Sequence, residues 1–150
     1  MSELKQKLHQ LCVAYVQSRI AAAGQAITEA QQAQLDDTKS SAGDKYETGR
    51  EMAQQEKNRH TAQLNESNKL LIALNQIPVN GTSKTAENGS IIYTSNGNFY
   101  LSVSAGSITI RGESFFAVSP SSPIGVKLKG RQAGDEFILN GKNYRIISVK

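Results

Sequence analysis

From residue 2 to residue 77 the chain carries no proline, and its apolar residues recur at steps of three and four. That period belongs to helices, since a half-buried strand alternates every second residue. Leu4, Leu8, Leu11 and Tyr15 form one predicted stripe, and Cys12, Val16, Ile20, Ala23, Ile27 and Ala30 form a second beside it. The polar stretch at 36–44, rich in Asp, Ser and Gly, breaks the pattern. Helical spacing then resumes through Met52, Ala53, Leu64, Leu71 and Leu74. Two long helices joined by a short polar tip must fold back antiparallel. Each arm of about 35 residues would reach about 50 Å at 1.5 Å per residue, too long for a compact small domain, so the hairpin is expected to project. Small residues, Ala21, Ala22, Ala23, Ala26, Ala30 and Ala33, make its middle slender. Leucines at the open end, Leu4, Leu8 and Leu11 with Leu70, Leu71 and Leu74, make its base the stiffest part, and the tip is expected to fray.

Pro78 ends the helical text. Residues 78–89 read as a linker, and short β-rich runs follow at 90–94, 99–104, 107–111, 115–118, 136–139 and 144–149. Asn96-Gly97 and Asn140-Gly141 carry the signature of tight hairpin turns. Only 123–130 looks helical. The predicted fold class is therefore α+β: an antiparallel α-helical hairpin of coiled-coil type at 1–77, a linker at 78–89, and a small antiparallel β domain with one short helix at 90–150.

Composition narrows the setting. A single cysteine, Cys12, excludes an internal disulfide and a thiolate-rich metal site, which points to a reducing compartment. The start of the chain is charged where a secretory signal needs an apolar stretch, and no segment nears the roughly 20 apolar residues of a membrane span. The expectation is a cytoplasmic monomer with no membrane partner. The net charge of +4 is lopsided: residues 1–77 hold nine basic and nine acidic side chains, and residues 78–150 hold eight basic against four acidic. Such a face can steer toward an acidic partner, protein or nucleic acid, although a merely solvated surface is the commoner explanation.

His9 and His60 lie on different predicted helices with no third ligand, so both read as exposed helix residues. Arg50, Lys57, Arg59 and Lys69 alternate with Glu51, Glu56 and Glu66 and read as an ion-paired, solvated face. No phosphate-loop spacing and no nucleophile–base motif occurs, and nothing supports a free-standing enzyme.

The segment 116–136 is more specific. Ser119-Pro120-Ser121-Ser122-Pro123-Ile124-Gly125, then Leu128, Gly130 and Gly134-Asp135, resembles the C-terminal signature of the GreA/GreB transcript-cleavage factors. The prolines fix an extended loop, Ser122 can cap a short helix with Pro123 at its first position, and the glycines turn the chain into the next strand. The order of parts matches too, and Ser41, Tyr46, Arg50 and Glu51 fit the family's stretch after the hairpin tip without gaps. The resemblance implies an FKBP-like C-terminal domain that grips RNA polymerase at its secondary channel through residues 119–125. It also implies a hairpin that threads the channel and carries tip carboxylates to a second Mg²⁺ shared with the polymerase, near the RNA 3′ end. No tightly bound cofactor is implied. With nine Phe and Tyr in the chain, prolyl isomerase activity finds no aromatic pocket to work in.

At the tip the sequence departs from the family. In the register set by Ser41, Tyr46 and Glu51, the family's two tip acids fall on Lys39 and Ala42, neither of which binds a metal. Asp36, Asp37, Asp44 and Glu47 remain nearby as candidate ligands. The bland alternative is that Asp36 and Asp37 end the first helix and Asp44 starts the second, where acids favour the dipole. Two functions follow: a Gre-like factor that modulates elongation or rescues backtracked complexes, with cleavage stimulation open, or a non-catalytic coiled-coil adaptor.

Overall fold

The computed structural model describes the backbone of residues 2–40, 43–79 and 81–150 and the side chains of 3–33, 51–79 and 81–150. Helix α1 runs Ser2–Ser40 and α2 Gly43–Asn75, a long helical hairpin. Six strands and one helix follow: β1 Ile91–Thr94, β2 Gly97–Leu101, β3 Gly106–Ile110, β4 Glu113–Val118, α3 Pro123–Leu128, β5 Glu136–Leu139 and β6 Lys142–Val149. The fold is α+β. The chain divides into two compact units, Met1–Tyr15 with Ile72–Lys150, and Val16–Leu71.

In the unit Val16–Leu71 burial repeats every seven residues. Val16, Ala23 and Ala30 are buried on α1, and on α2 Ala53 and Ser67 are buried with half-buried His60 midway between them. A seven-residue repeat keeps one seam of each helix against its partner. Beyond Val16 the buried seam is built of alanine and polar residues, with Ile20, Ile27 and Leu64 only half-buried, so it contributes modest apolar burial. Arg59–Glu56 (3.7 Å) and Lys69–Glu66 (3.9 Å) are one-turn ion pairs whose side chains are more than half exposed. They are worth a few tenths of a kcal/mol at most. The basic face is thus ion-paired, as expected for these two residues.

The other unit holds the core. One face of the sheet carries Ile92, Phe99, Leu101, Phe137 and Ile146, closed by Leu128 of α3 and by Ala86. Residues of opposite parity, Ile91, Tyr100, Phe115 and Ala117, are buried on the other face, in the unit that also contains Leu8, Cys12 and Leu74. The Cys12 Sγ lies 3.7 Å from Ser102 Oγ, which ties the first turns of α1 to the end of β2. Lys5 is only 6% exposed and its Nζ donates to the Gly81 carbonyl at 3.0 Å. Of the two predicted stripes, one is buried at Cys12, Val16, Ala23 and Ala30, with Ile20 and Ile27 half-buried. The other is fully buried only at Leu8, and its Leu11 and Tyr15 remain 37% and 40% exposed.

Strand order is β3-β4-β2-β1-β6-β5. Four pairings are antiparallel, as expected, but β2 and β4 are parallel, a correction to the wholly antiparallel sheet. After β2 the chain skips one strand position to make β3, and β4 returns into the gap between them. Ser102 and Ala105 amides donate to the carbonyls of Val118 and Ala117 along that step. Turn residues announce a reversal but not which strand fills the gap. The Asn140-Gly141 turn is as read, both residues at positive φ (52° and 79°), the I′ geometry that matches strand twist. Arg111-Gly112 adopts the same form with an unusual arginine at φ 51°. The first turn is centred one residue earlier than expected, on Ser95-Asn96, because Thr94 pairs with Gly97 and its Oγ1 accepts the Asn96 amide.

The segment read as a linker is hydrogen-bonded in its second half. Ala86 exchanges backbone bonds with Arg131 and Gly130, and the Gly89 amide donates to Leu101. No helix among the described residues is long and apolar enough to cross a membrane.

Burial also sets two titrations. Cys12 is fully buried and its thiol is pushed above the ordinary value by desolvation, with the Ser102 hydroxyl opposing weakly. A thiol reagent should therefore react at least about a hundredfold more slowly with native protein than with denatured protein, followed by absorbance; equal rates would show an open base. His9, expected to be exposed, is half-buried, its Nδ1 has no hydrogen-bond partner among the described residues, and desolvation lowers its pKa below 6.5. The unfolded chain then takes the proton more readily, so this contribution is intact above about pH 6.5 and is lost as pH falls below it. Urea midpoints at about pH 7.5 and about pH 5.5 should differ less in His9→Gln than in wild type; identical differences would refute the assignment.

Candidate functional site

Between β4 and α3 the chain makes a turn that uses nearly every polar atom it has. Ser122 caps α3: its Oγ accepts the Gly125 amide at 3.1 Å and donates to the Ser119 carbonyl at 2.6 Å. Pro123 occupies the first helical turn, where a missing N–H costs nothing. Ser119 Oγ accepts the Ser121 amide at 3.2 Å and lies 2.8 Å from Ser121 Oγ, while the Ser119 amide donates to Ser104 Oγ. Gly125 is buried so tightly that a Cβ would fall 1.9 Å from the Ser119 carbonyl oxygen. Any side chain there would push α3 away from the turn.

The far end of α3 is held as firmly. The Lys129 amide donates to the Gly125 carbonyl and the Gly130 amide to the Ala86 carbonyl. Arg131 Nε donates to the Lys127 carbonyl, and its guanidinium lies 5.6 Å from the Phe137 ring centroid. Ile124 packs on the core cluster and Leu128 is fully buried. The opposite side of α3 displays Pro123, Val126 (61% exposed), Lys127 and, just beyond it, Lys129. The turn and helix thus present proline, apolar and cationic groups outward. Among the described residues no hydrogen bond links these serine hydroxyls to a histidine or carboxylate, so none is set up as a nucleophile.

The turn therefore gathers Ser119, Pro120, Ser121, Ser122, Pro123, Ile124 and Gly125 as read from sequence, with a refinement. Ser122, Ile124 and Gly125 work inward, and Ser121 and Pro123 are the exposed members. Val126 was missed, since an apolar residue in a short amphipathic helix reads as core until its face is known. The side chains of Asp36, Asp37, Asp44 and Glu47, and of Lys39 and Ala42, lie outside the described residues. Among the described residues no cluster of three or more His, Cys, Asp or Glu could hold a metal. His60 Nδ1 lies 3.1 Å from Gln63 Oε1 on its own helix.

Gly125→Ala should cost at least about 2 kcal/mol by forced repacking. Thermal unfolding should show it as a drop of several degrees, and an unchanged midpoint would mean the turn is slack.

No family model and no curated protein matches the sequence. Among solved structures, that of the transcription factor Gfh1 is similar to this chain over 91% of its length and 92% of that chain, at 17% identity and a TM-score of 0.37. So distant a likeness does not decide what the turn binds.

Proposed function

We propose that the protein is a Gre-like transcription factor that binds RNA polymerase at its secondary channel. The observation that carries this reading is the Ser119–Gly125 motif, whose seven residues form one self-bonded turn with Pro123 and Val126 outward. A sequence pattern that resembles a family's polymerase-gripping signature and also folds into a presentable surface is a stronger warrant than either alone. The order of parts, helical hairpin then sheet domain, supports it. In this reading residues 90–150 grip, 78–89 join, and 1–77 enter the channel. The protein acts in the cytoplasm as a monomer, and it is not itself an enzyme: any RNA cleavage belongs to the polymerase. Asp36, Asp37, Asp44 and Glu47 are the carboxylates available near the tip to hold polymerase-bound Mg²⁺ beside the RNA 3′ end. Lys39 and Ala42 at the family's acid positions weigh toward occupancy of the channel without cleavage.

Purified polymerase should retain the protein at low and moderate salt, and Val126→Asp should weaken retention at least about tenfold without unfolding the domain. No retention of wild type overturns the proposal. On backtracked complexes, RNA shortening that disappears when all four acids become Ala assigns them the metal. Equal shortening with and without the protein leaves channel occupancy as its role. The alternative, a coiled-coil adaptor for another assembly, predicts crosslinks from Lys127 and Lys129 to a different protein.

A further inference from the structure

A second surface lies on the sheet's open edge. Strand β3 is terminal in the sheet, so among the described residues no strand pairs with its outer backbone groups. Gly106, Ser107 and Thr109 are exposed, and Ile108 and Ile110 are half-buried. Open edges invite strand addition, and proteins commonly guard them with lysine, proline, bulges or very short strands. β3 has none of these guards. It pairs with β4 in unbroken register over five residues, and the sequence holds no charged residue between Glu87 and Arg111. The opposite edge, β5, differs in carrying a charge within its four residues, Glu136.

Beside this edge lies a cleft of about 580 Å³ with an apolar floor of Leu4, Leu11 and Ile110. Ile108 and Ile110 share one face of β3, and a strand added outside them would point alternate side chains toward that floor. The cleft's charges cancel: Glu3 and Arg111 pair at 3.1 Å, and Lys7 and Glu113 supply one of each sign. An uncharged occupant therefore suits it.

We propose that β3 and this cleft receive an extended, uncharged peptide segment of a partner protein, with an apolar residue at every second position, by β-strand addition. Main-chain hydrogen bonds to β3 supply the register, and the cleft selects the apolar side chain. A second copy of this chain fits less well. Pairing β3 with β3 engages five residues a side, whereas a stable protein interface uses roughly 20–30.

The test titrates full-length, isotope-labelled protein with a capped seven-residue peptide alternating valine and threonine. The amides of residues 107–110 should shift and exchange more slowly, with a Kd at or below about 1 mM. The same peptide N-methylated at alternate residues should lose at least about tenfold in affinity, because one edge of its backbone can no longer pair. Leu11→Glu, at an already accessible position, should cost a similar factor while leaving the circular dichroism spectrum unchanged. Absence of shifts at about 1 mM peptide, or equal binding of the N-methylated form, overturns strand addition. Shifts at 107–110 that grow with protein concentration alone would assign the edge to self-association and overturn the partner assignment.

Discussion

The structure depends on the burial of the first turns of α1 in the sheet unit. Leu8 and Cys12 are fully inaccessible there, as are Tyr100 and Phe115 on the sheet, and Leu74 near the end of α2 joins the same unit. Each large apolar side chain so buried contributes about 1.5–3 kcal/mol. Lys5 adds a directional tie to Gly81, where desolvation lowers the ammonium pKa against a weaker opposing pull from Glu87. One uninterrupted helix thus has its start in the sheet unit and most of its length in the other.

That arrangement explains how the second unit can have so spare a seam. Helices within proteins draw most of their stability from tertiary packing rather than propensity. A seam of Val16, Ala23 and Ala30 with Ala53 and Ser67 offers little of it. The long helices gain from nucleation in a well-packed base: once the first turns are fixed, each further residue adds a hydrogen bond at lower entropic cost.

Helical period and turn chemistry made much of this legible in the sequence. All six strands and α3 lie where turn signals and apolar spacing put them, within the few residues by which element ends ordinarily shift. The helical arms run further than read: the polar stretch at 36–44 does not break them, since α1 continues past Asp36 and Asp37 to Ser40 and α2 starts at Gly43. Asn140-Gly141 was readable because its two residues tolerate positive φ, whereas Arg111 in the same conformation carries no such sign. Pairing partners were not readable: nothing in residues 102–105 states that β4 will slot in parallel to β2. Nor was the exposure of Leu11 and Tyr15, since two adjacent apolar stripes differ only in which one meets a partner. The period ends at residue 77, while the compact units divide by packing, and packing across seventy residues leaves no local mark. At the candidate site Gly125 was legible as a motif member, but its reason, the Ser119 carbonyl against its Cα, is a tertiary fact.

If α1 is nucleated from the sheet unit, its first turns must share that unit's stability. Native-state hydrogen exchange of the full chain tests this directly. Amides of residues 8–13 should open only with those of β1 and β2, at one common free energy, while amides of residues 20–33 open more readily. Exchange of residues 8–13 together with residues 20–33, well before the sheet opens, would contradict it.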